Sequence, residues 1–229
     1  MKIPLLALAI LTSPLLASAA SPKEEVAGAI KKLAEQSGYA WTYTPRTEGT
    51  ESARSLGPIE GKTEKDGFTY LKGSAGDVSL EIGIKGEKMV VNYNGDWLST
   101  AEIGENNRTV QRLRALKKAD QEATELMGKA AEIKKQSDGT YAGDMTADAA
   151  KQMFALLGRR AAEAPEAKGS VKFWLKDGHL AKYEFTVGGK IITGEDKREV
   201  NVSRTATVEI KDIGSTKVSL PEDARKKLS

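Results

Sequence analysis

Ser170-Val171-Lys172-Phe173-Trp174-Leu175-Lys176-Asp177-Gly178-His179-Leu180-Ala181-Lys182-Tyr183-Glu184-Phe185 reads as two strands and the turn between them. Val171, Phe173 and Leu175 recur at every second position before the turn, and Ala181, Tyr183, Phe185 and Val187 do so after it. Successive strand side chains point to opposite faces, so each series lines one face of a sheet. Lys176-Asp177-Gly178 supplies the connection, because Asp-Gly adopts the positive φ angles of a tight hairpin at low cost. His179, the one His of the chain, falls in this turn and is expected to be exposed, without a partner.

The same patterning extends on both sides. Downstream, Ile191-Ile192 and the run from Val200 to Ile210 read as strands, with Val187-Gly188-Gly189 as a second hairpin turn. Upstream, Ile59 to Trp97 reads as an antiparallel meander. Its turns are Lys65-Asp66-Gly67, Gly73-Ser74-Ala75-Gly76-Asp77, Lys85-Gly86-Glu87 and Asn94-Gly95-Asp96. Within it Val78, Leu80, Ile82 and Ile84 alternate with Ser79, Glu81 and Gly83, which predicts one buried face and one polar face. Tyr39-Ala40-Trp41-Thr42-Tyr43-Thr44 is a further strand with its aromatics on one side, followed by an exposed loop over residues 45–57, between Pro45 and Pro58.

Helical spacing appears in three other places. Ser21-Pro22-Lys23-Glu24 has a capping residue, Pro at the first helical position and Glu three after the cap; Val26, Ile30 and Leu33 follow, and Gly38 is read as the stop. From Thr109 to Lys135, Leu113, Leu116, Ala123, Met127, Ala130 and Ile133 predict one long helix or two, with Glu125 and Lys129 as an i,i+4 pair and Asp138-Gly139 at the end. After a short strand between Thr140 and Met145, Thr146 caps a helix carrying Ala150, Met153, Phe154 and Leu157, and Gly158 ends it. Pro221 to Leu228 forms one helical turn or two.

The chain has 229 residues, 39% hydrophobic and 29% charged, with a net charge of +3 and no Cys. That length suits one domain with a sizeable core. So small a basic surplus is no footprint for nucleic acid. Without Cys there is no disulfide, thiolate nucleophile or lipidated Cys, and one His excludes a multi-His metal site. Lys2, the apolar stretch from Ile3 to Leu16 and the small residues Ala17-Ser18-Ala19-Ala20 make a secretory leader, cleaved after Ala19 or Ala20. Residues 1–20 are therefore expected to be removed and 21–229 to fold as one domain, periplasmic or secreted. No later apolar run is long enough to span a membrane.

No motif carries catalysis. There is no Gly-x-Ser-x-Gly elbow, and Gly188-Gly189-Lys190 lacks the spacing of a phosphate-binding loop. Asp138, Asp144 and Asp148 lack EF-hand spacing. Glu102, Glu105, Asp144 and Glu184 are the carboxylates a glycosidase-like reading would draw on, and each also reads as a solvated loop or strand charge. No cofactor is called for.

The order of elements, with the strand ending Trp174-Leu175-Lys176-Asp177-Gly178 and returning through Lys182-Tyr183-Glu184-Phe185, resembles the lipoprotein-localisation-factor superfamily, which includes periplasmic lipoprotein carriers and mycobacterial lipid-carrying lipoproteins. The resemblance implies an α+β fold: a strongly curved antiparallel sheet, an incomplete barrel, with the N-terminal helix and the central helical segment on its concave face and an apolar cavity for acyl chains. Trp41, Leu80, Ile82 and Phe185 are then expected to approach that face and to bind the ligand. The function this predicts is that of a non-enzymatic binding protein for a lipid, a lipidated protein or another hydrophobic ligand. The alternatives are an envelope assembly module that binds a protein through a sheet edge or helix face, and a carboxylate-dependent hydrolase.

Overall fold

The computed structural model describes residues 20–49, 57–75, 78–104, 110, 117–158, 161, 163–164, 166–193 and 198–229. The leader through residue 19, Glu105, Leu113 and Leu116 lie outside the described residues.

The first helix, α1 (Pro22–Ala34), begins as its sequence dictates: the Ser21 hydroxyl accepts from the Glu24 amide at 3.3 Å, and the Glu24 carboxylate accepts from the Ser21 amide at 2.7 Å. This reciprocal cap satisfies two amides that the helix itself leaves open. Val26, Ile30 and Leu33 are buried on one stripe. Gly38 does not stop the helix, which ends at Ala34. It opens β1 (Gly38–Glu48), where a Cβ would stand 2.6 Å from the Thr216 carbonyl oxygen and 2.8 Å from that of Thr63. Close approach of three backbones, rather than helix termination, is what requires glycine there.

The meander follows as β2 (Ile59–Glu64), β3 (Phe68–Ala75), β4 (Val78–Lys85), β5 (Lys88–Tyr93) and β6 (Asp96–Ser99), leading into the single turn α2 (Thr100–Ile103). After α3 (Ala119–Lys129) come β7 (Lys134–Lys135), β8 (Tyr141–Asp144), α4 (Ala147–Ala155), β9 (Ala167–Lys176), β10 (His179–Thr193), β11 (Arg198–Lys211) and the tail helix α5 (Glu222–Leu228). All eleven strands form one antiparallel sheet in the order β6-β5-β4-β3-β2-β1-β11-β10-β9-β8-β7. The two meanders join where β1 pairs with β11, with Trp41 opposite Ile210 and Tyr43 opposite Val208. The sheet is curved and unclosed, since among the described residues β6 and β7 each have a partner on one side only.

The opening hairpin folds as read. Asp177 and Gly178 both have positive φ, 51° and 75°, between the paired residues Lys176 and His179. A bulge between Leu180 and Lys182 then shifts the register of β10 against β9, a feature that increases local bend and twist.

Four expectations need correction. Residues 45–48 are not loop but the end of β1; past Tyr43 that end pairs with β11 alone, and one-sided pairing is where a strand tolerates Pro45. Gly73, Ser74 and Ala75 belong to β3 rather than to a turn. Gly188 and Gly189 lie inside the continuous β10; a Cβ on Gly189 would come within 2.8 Å of the Phe154 ring, so it is packing, not turning, that excludes a side chain. The central helix stops at Lys129, and Ala130 is extended at φ −72°, ψ 134° and bridges Met145. Asp138-Gly139 therefore turns from β7 to β8.

One large core fills the concave side. It unites α1 (Val26, Ile30, Leu33) and α3 (Ala119, Ala123, Leu126) with inward residues of both meanders, among them Tyr39, Leu71, Ile82, Phe173, Tyr183 and Val208. The outer face of the first meander is not simply polar. Phe68, Val90 and Trp97 form a second core there with Val218, Leu220, Ala224 and Leu228 of the chain end. Gly83 makes room for it, since its Cβ would sit 3.1 Å from a Leu220 methyl. Arg225 lies over the Phe68 ring at 5.0 Å while donating to the carbonyls of Val218 and Leu220.

Candidate functional site

A cavity of about 240 Å³ lies between the sheet and the helices. Its sheet wall consists of Trp41 and Tyr43 from β1, Ile59 from β2, Leu71 from β3, Phe185 and Val187 from β10 and Arg204 from β11. Its helix wall consists of Lys117 and Glu122, at and before the start of α3, and of Met153, Leu156 and Leu157 at the end of α4. These side chains converge because β1, β11 and β10 are neighbours and their period-two inward positions coincide. Leu156 lines the rim and is 81% exposed.

The floor is set by a glycine. Trp41 lies across β2, and a Cβ on Gly61 would fall 2.1 Å from the indole ring. Tyr39 tilts against Trp41, ring centroids 5.6 Å apart.

Polar groups are few: Tyr43 and Arg204 on the sheet wall, Lys117 and Glu122 on the helix wall. Tyr183 donates from its hydroxyl to the Glu122 carboxylate at 2.7 Å, and Tyr39 donates to Asp120. Two sheet tyrosines thus hold the first turn of α3 through its two acids, which also suit the positive end of a helix. Burial pushes the Glu122 carboxyl above its ordinary range, against the hydrogen bond from Tyr183 and the charge of Lys117, which pull it down. Burial likewise raises the hydroxyls of Tyr39, Tyr43 and Tyr183, so all three remain protonated over the working range of pH. The Arg204 guanidinium donates to the Tyr43 hydroxyl at 2.9 Å.

A wider concavity, about 990 Å³, opens over the far end of β9, β10 and β11. Its lining includes Glu48, Asp144, Glu166, Lys168, Lys190 and Glu199 around Ser170, Thr186 and Ser203, a solvated surface of mixed charge. The smaller cavity is the candidate site, because ligand sites are typically concave and apolar with a few placed polar groups.

No protein-family model matches the sequence, and no curated protein matches it. Among solved structures, LppX, a lipoprotein of Mycobacterium tuberculosis, is similar over 86% of this chain and 97% of its own, with 11% identity and a TM-score of 0.50. The chain has the LppX fold. LprF from Mycobacterium bovis aligns over 89% of this chain and 97% of its own at 12% identity and a TM-score of 0.48. A LolA superfamily protein from Nitrosomonas europaea aligns over 88% and 96% at 12% identity and a TM-score of 0.37. The α+β architecture implied by the sequence resemblance is therefore present, and at such identity the likeness to LppX is one of fold and assigns no role to any residue.

Within the LppX fold, Trp41 and Phe185 line the cavity. Ile82 is 1% exposed in the same core, and Leu80 packs half-buried against it; neither is among the lining residues. Sequence reading missed Tyr43, Arg204, Glu122 and the α4 residues Met153, Leu156 and Leu157. Tyr43 was visible as part of the aromatic series, and Arg204 shares its period-two face with Val202, Ala206, Val208 and Ile210, which is the signal that it faces inward.

The remaining candidates separate. Glu102 caps α2 and pairs with Lys227 of α5 at 2.7 Å, Glu184 accepts from Thr207 at 2.9 Å, and Asp144 ends β8. Among the described residues no cluster of His, Asp and Glu suits a metal, and no helix is long and apolar enough to cross a membrane. His179 is not partnerless: its Nε2 lies 3.2 Å from the Gln36 amide nitrogen and its Nδ1 3.1 Å from the Asp177 carbonyl oxygen. The tautomer protonated on Nδ1 satisfies both contacts, which fasten the hairpin to the end of α1.

Proposed function

We propose that the protein is an exported, non-enzymatic binding protein that carries a hydrophobic ligand, a lipid or the acyl part of a lipidated protein, in the cavity between the sheet and α3 and α4. The reading rests on one observation: an aromatic and aliphatic cavity inside a core otherwise filled by α1 and the inward strand residues. The leader, residues 1–20, directs export and is removed, and 21–229 is the working domain. The unclosed sheet of this chain supports the reading, because it leaves space beneath the helices. The test is native mass spectrometry of the exported protein, purified without detergent. A co-purifying apolar molecule released on unfolding is the expected result; a bare polypeptide mass that also takes up no added lipid overturns it.

A further inference from the structure

Arg204 stands out in a lining that is otherwise apolar or internally satisfied. Lys117 is paired with Glu125, and Glu122 is engaged by Tyr183. The Arg204 guanidinium donates one bond to Tyr43 and is near enough to Glu122 for its charge to draw that carboxyl down, but it forms no ion pair among the described residues and its buried Nε–H has no acceptor there. An unserved donor on a charged group is costly, and Nε is closed off from solvent, so bulk water does not serve it. The guanidinium fork matches a carboxylate in geometry, and a small rotation of the side chain would present it to one delivered through the cavity.

The volume limits what carries that carboxylate. About 240 Å³, at about 30 Å³ per water-sized group, holds roughly eight such groups. That is most of one medium-length chain, whose last carbons would lie at the open rim beside Leu156, and not the two or three chains of a membrane lipid. Trp41, Phe185 and Leu71 offer it an apolar wall, and the exposed Leu156 marks where it would enter.

We propose that the cavity selects a single-chain, medium-length fatty carboxylate, with Arg204 receiving the head group. This rests on the binding function proposed above and names the ligand class.

The experiment is titration calorimetry of the full exported chain with decanoate and with decanol, which share a chain and differ in charge. Decanoate is expected to bind about tenfold more tightly or better, the effect of one charge-assisted hydrogen-bonded pair. In Arg204→Gln that preference disappears while decanol affinity stays; in Arg204→Lys, which keeps a cation, part of it returns. Equal affinities in the wild-type protein, or a preference that survives in folded Arg204→Gln, overturn the assignment of Arg204 and leave the binding function standing. Failure of both compounds to bind overturns the binding function as well. The wild-type ratio needs no variant, so a poorly folding Arg204→Gln does not remove the test. Displacement of decanoate by vesicles of two-chain phosphatidylglycerol would contradict the single-chain limit.

Discussion

Gly61 shows how much a single missing side chain decides. The Trp41 indole occupies the place its Cβ would take, which lets the ring lie down and form the cavity floor. Gly61→Ala is expected to lift the indole, costing about 1–3 kcal/mol by overpacking and shifting Trp41 emission. Chemical denaturation followed by fluorescence checks both, and an unchanged midpoint would mean the ring has another place to go. None of this was legible beforehand. Alternation identified Trp41 as inward, but a glycine in a strand reads as a turn or a weak spot until the ring across it is seen. The same error made Gly188-Gly189 a hairpin turn, when Phe154 needs the space. Arg204 was legible in principle: Val202, Ala206, Val208 and Ile210 share its period-two face, while Ser203 and Thr205 form the polar one, but a charged residue on an apolar face was not read as inward.

At the scale of elements, strands with clean alternation and Asp-Gly or Asn-Gly turns were readable, because both signals are local. So was the α1 cap. The end of the central helix was not: Ala130 and Ile133 keep helical spacing, yet they bury from an extended segment that β8 draws into the sheet, a tertiary effect absent from the sequence. The tail is another long-range element. Its helix α5 is tied to α2 by Lys227 and Glu102, whose carboxyl is held down to about 2 by Lys227 first and by the Ser99 cap next. A carboxylate depressed in the folded state stabilises above its unfolded value of 4.5 and loses that contribution as pH falls toward about 2. Protection of the α5 amides against hydrogen exchange should therefore drop across that interval. In Glu102→Gln it should be lower already at neutral pH and flat through the same interval. Because the pair is exposed, added salt should shrink the difference between the two proteins. Equal protection in both at every pH would show that the outer core of Phe68, Trp97 and Leu220 holds the tail unaided.

For the whole molecule, the unclosed sheet is what makes an interior site available. Here α1 and α3 fill the concave side only in part and α4 roofs what remains. The β7 edge is two residues long and carries Lys134 and Lys135, a short, charged edge that discourages strand addition, which weighs against recruitment of a protein partner along that side. The central claim is that the space under α4 takes an apolar ligand, and it is tested most directly by saturation binding of the fluorescent probe N-phenyl-1-naphthylamine to the wild-type protein and to folded Leu157→Trp, whose indole fills the cavity. The account predicts one saturable site in the wild-type protein and its loss in the variant; no saturable binding, or equal binding in both, would contradict it.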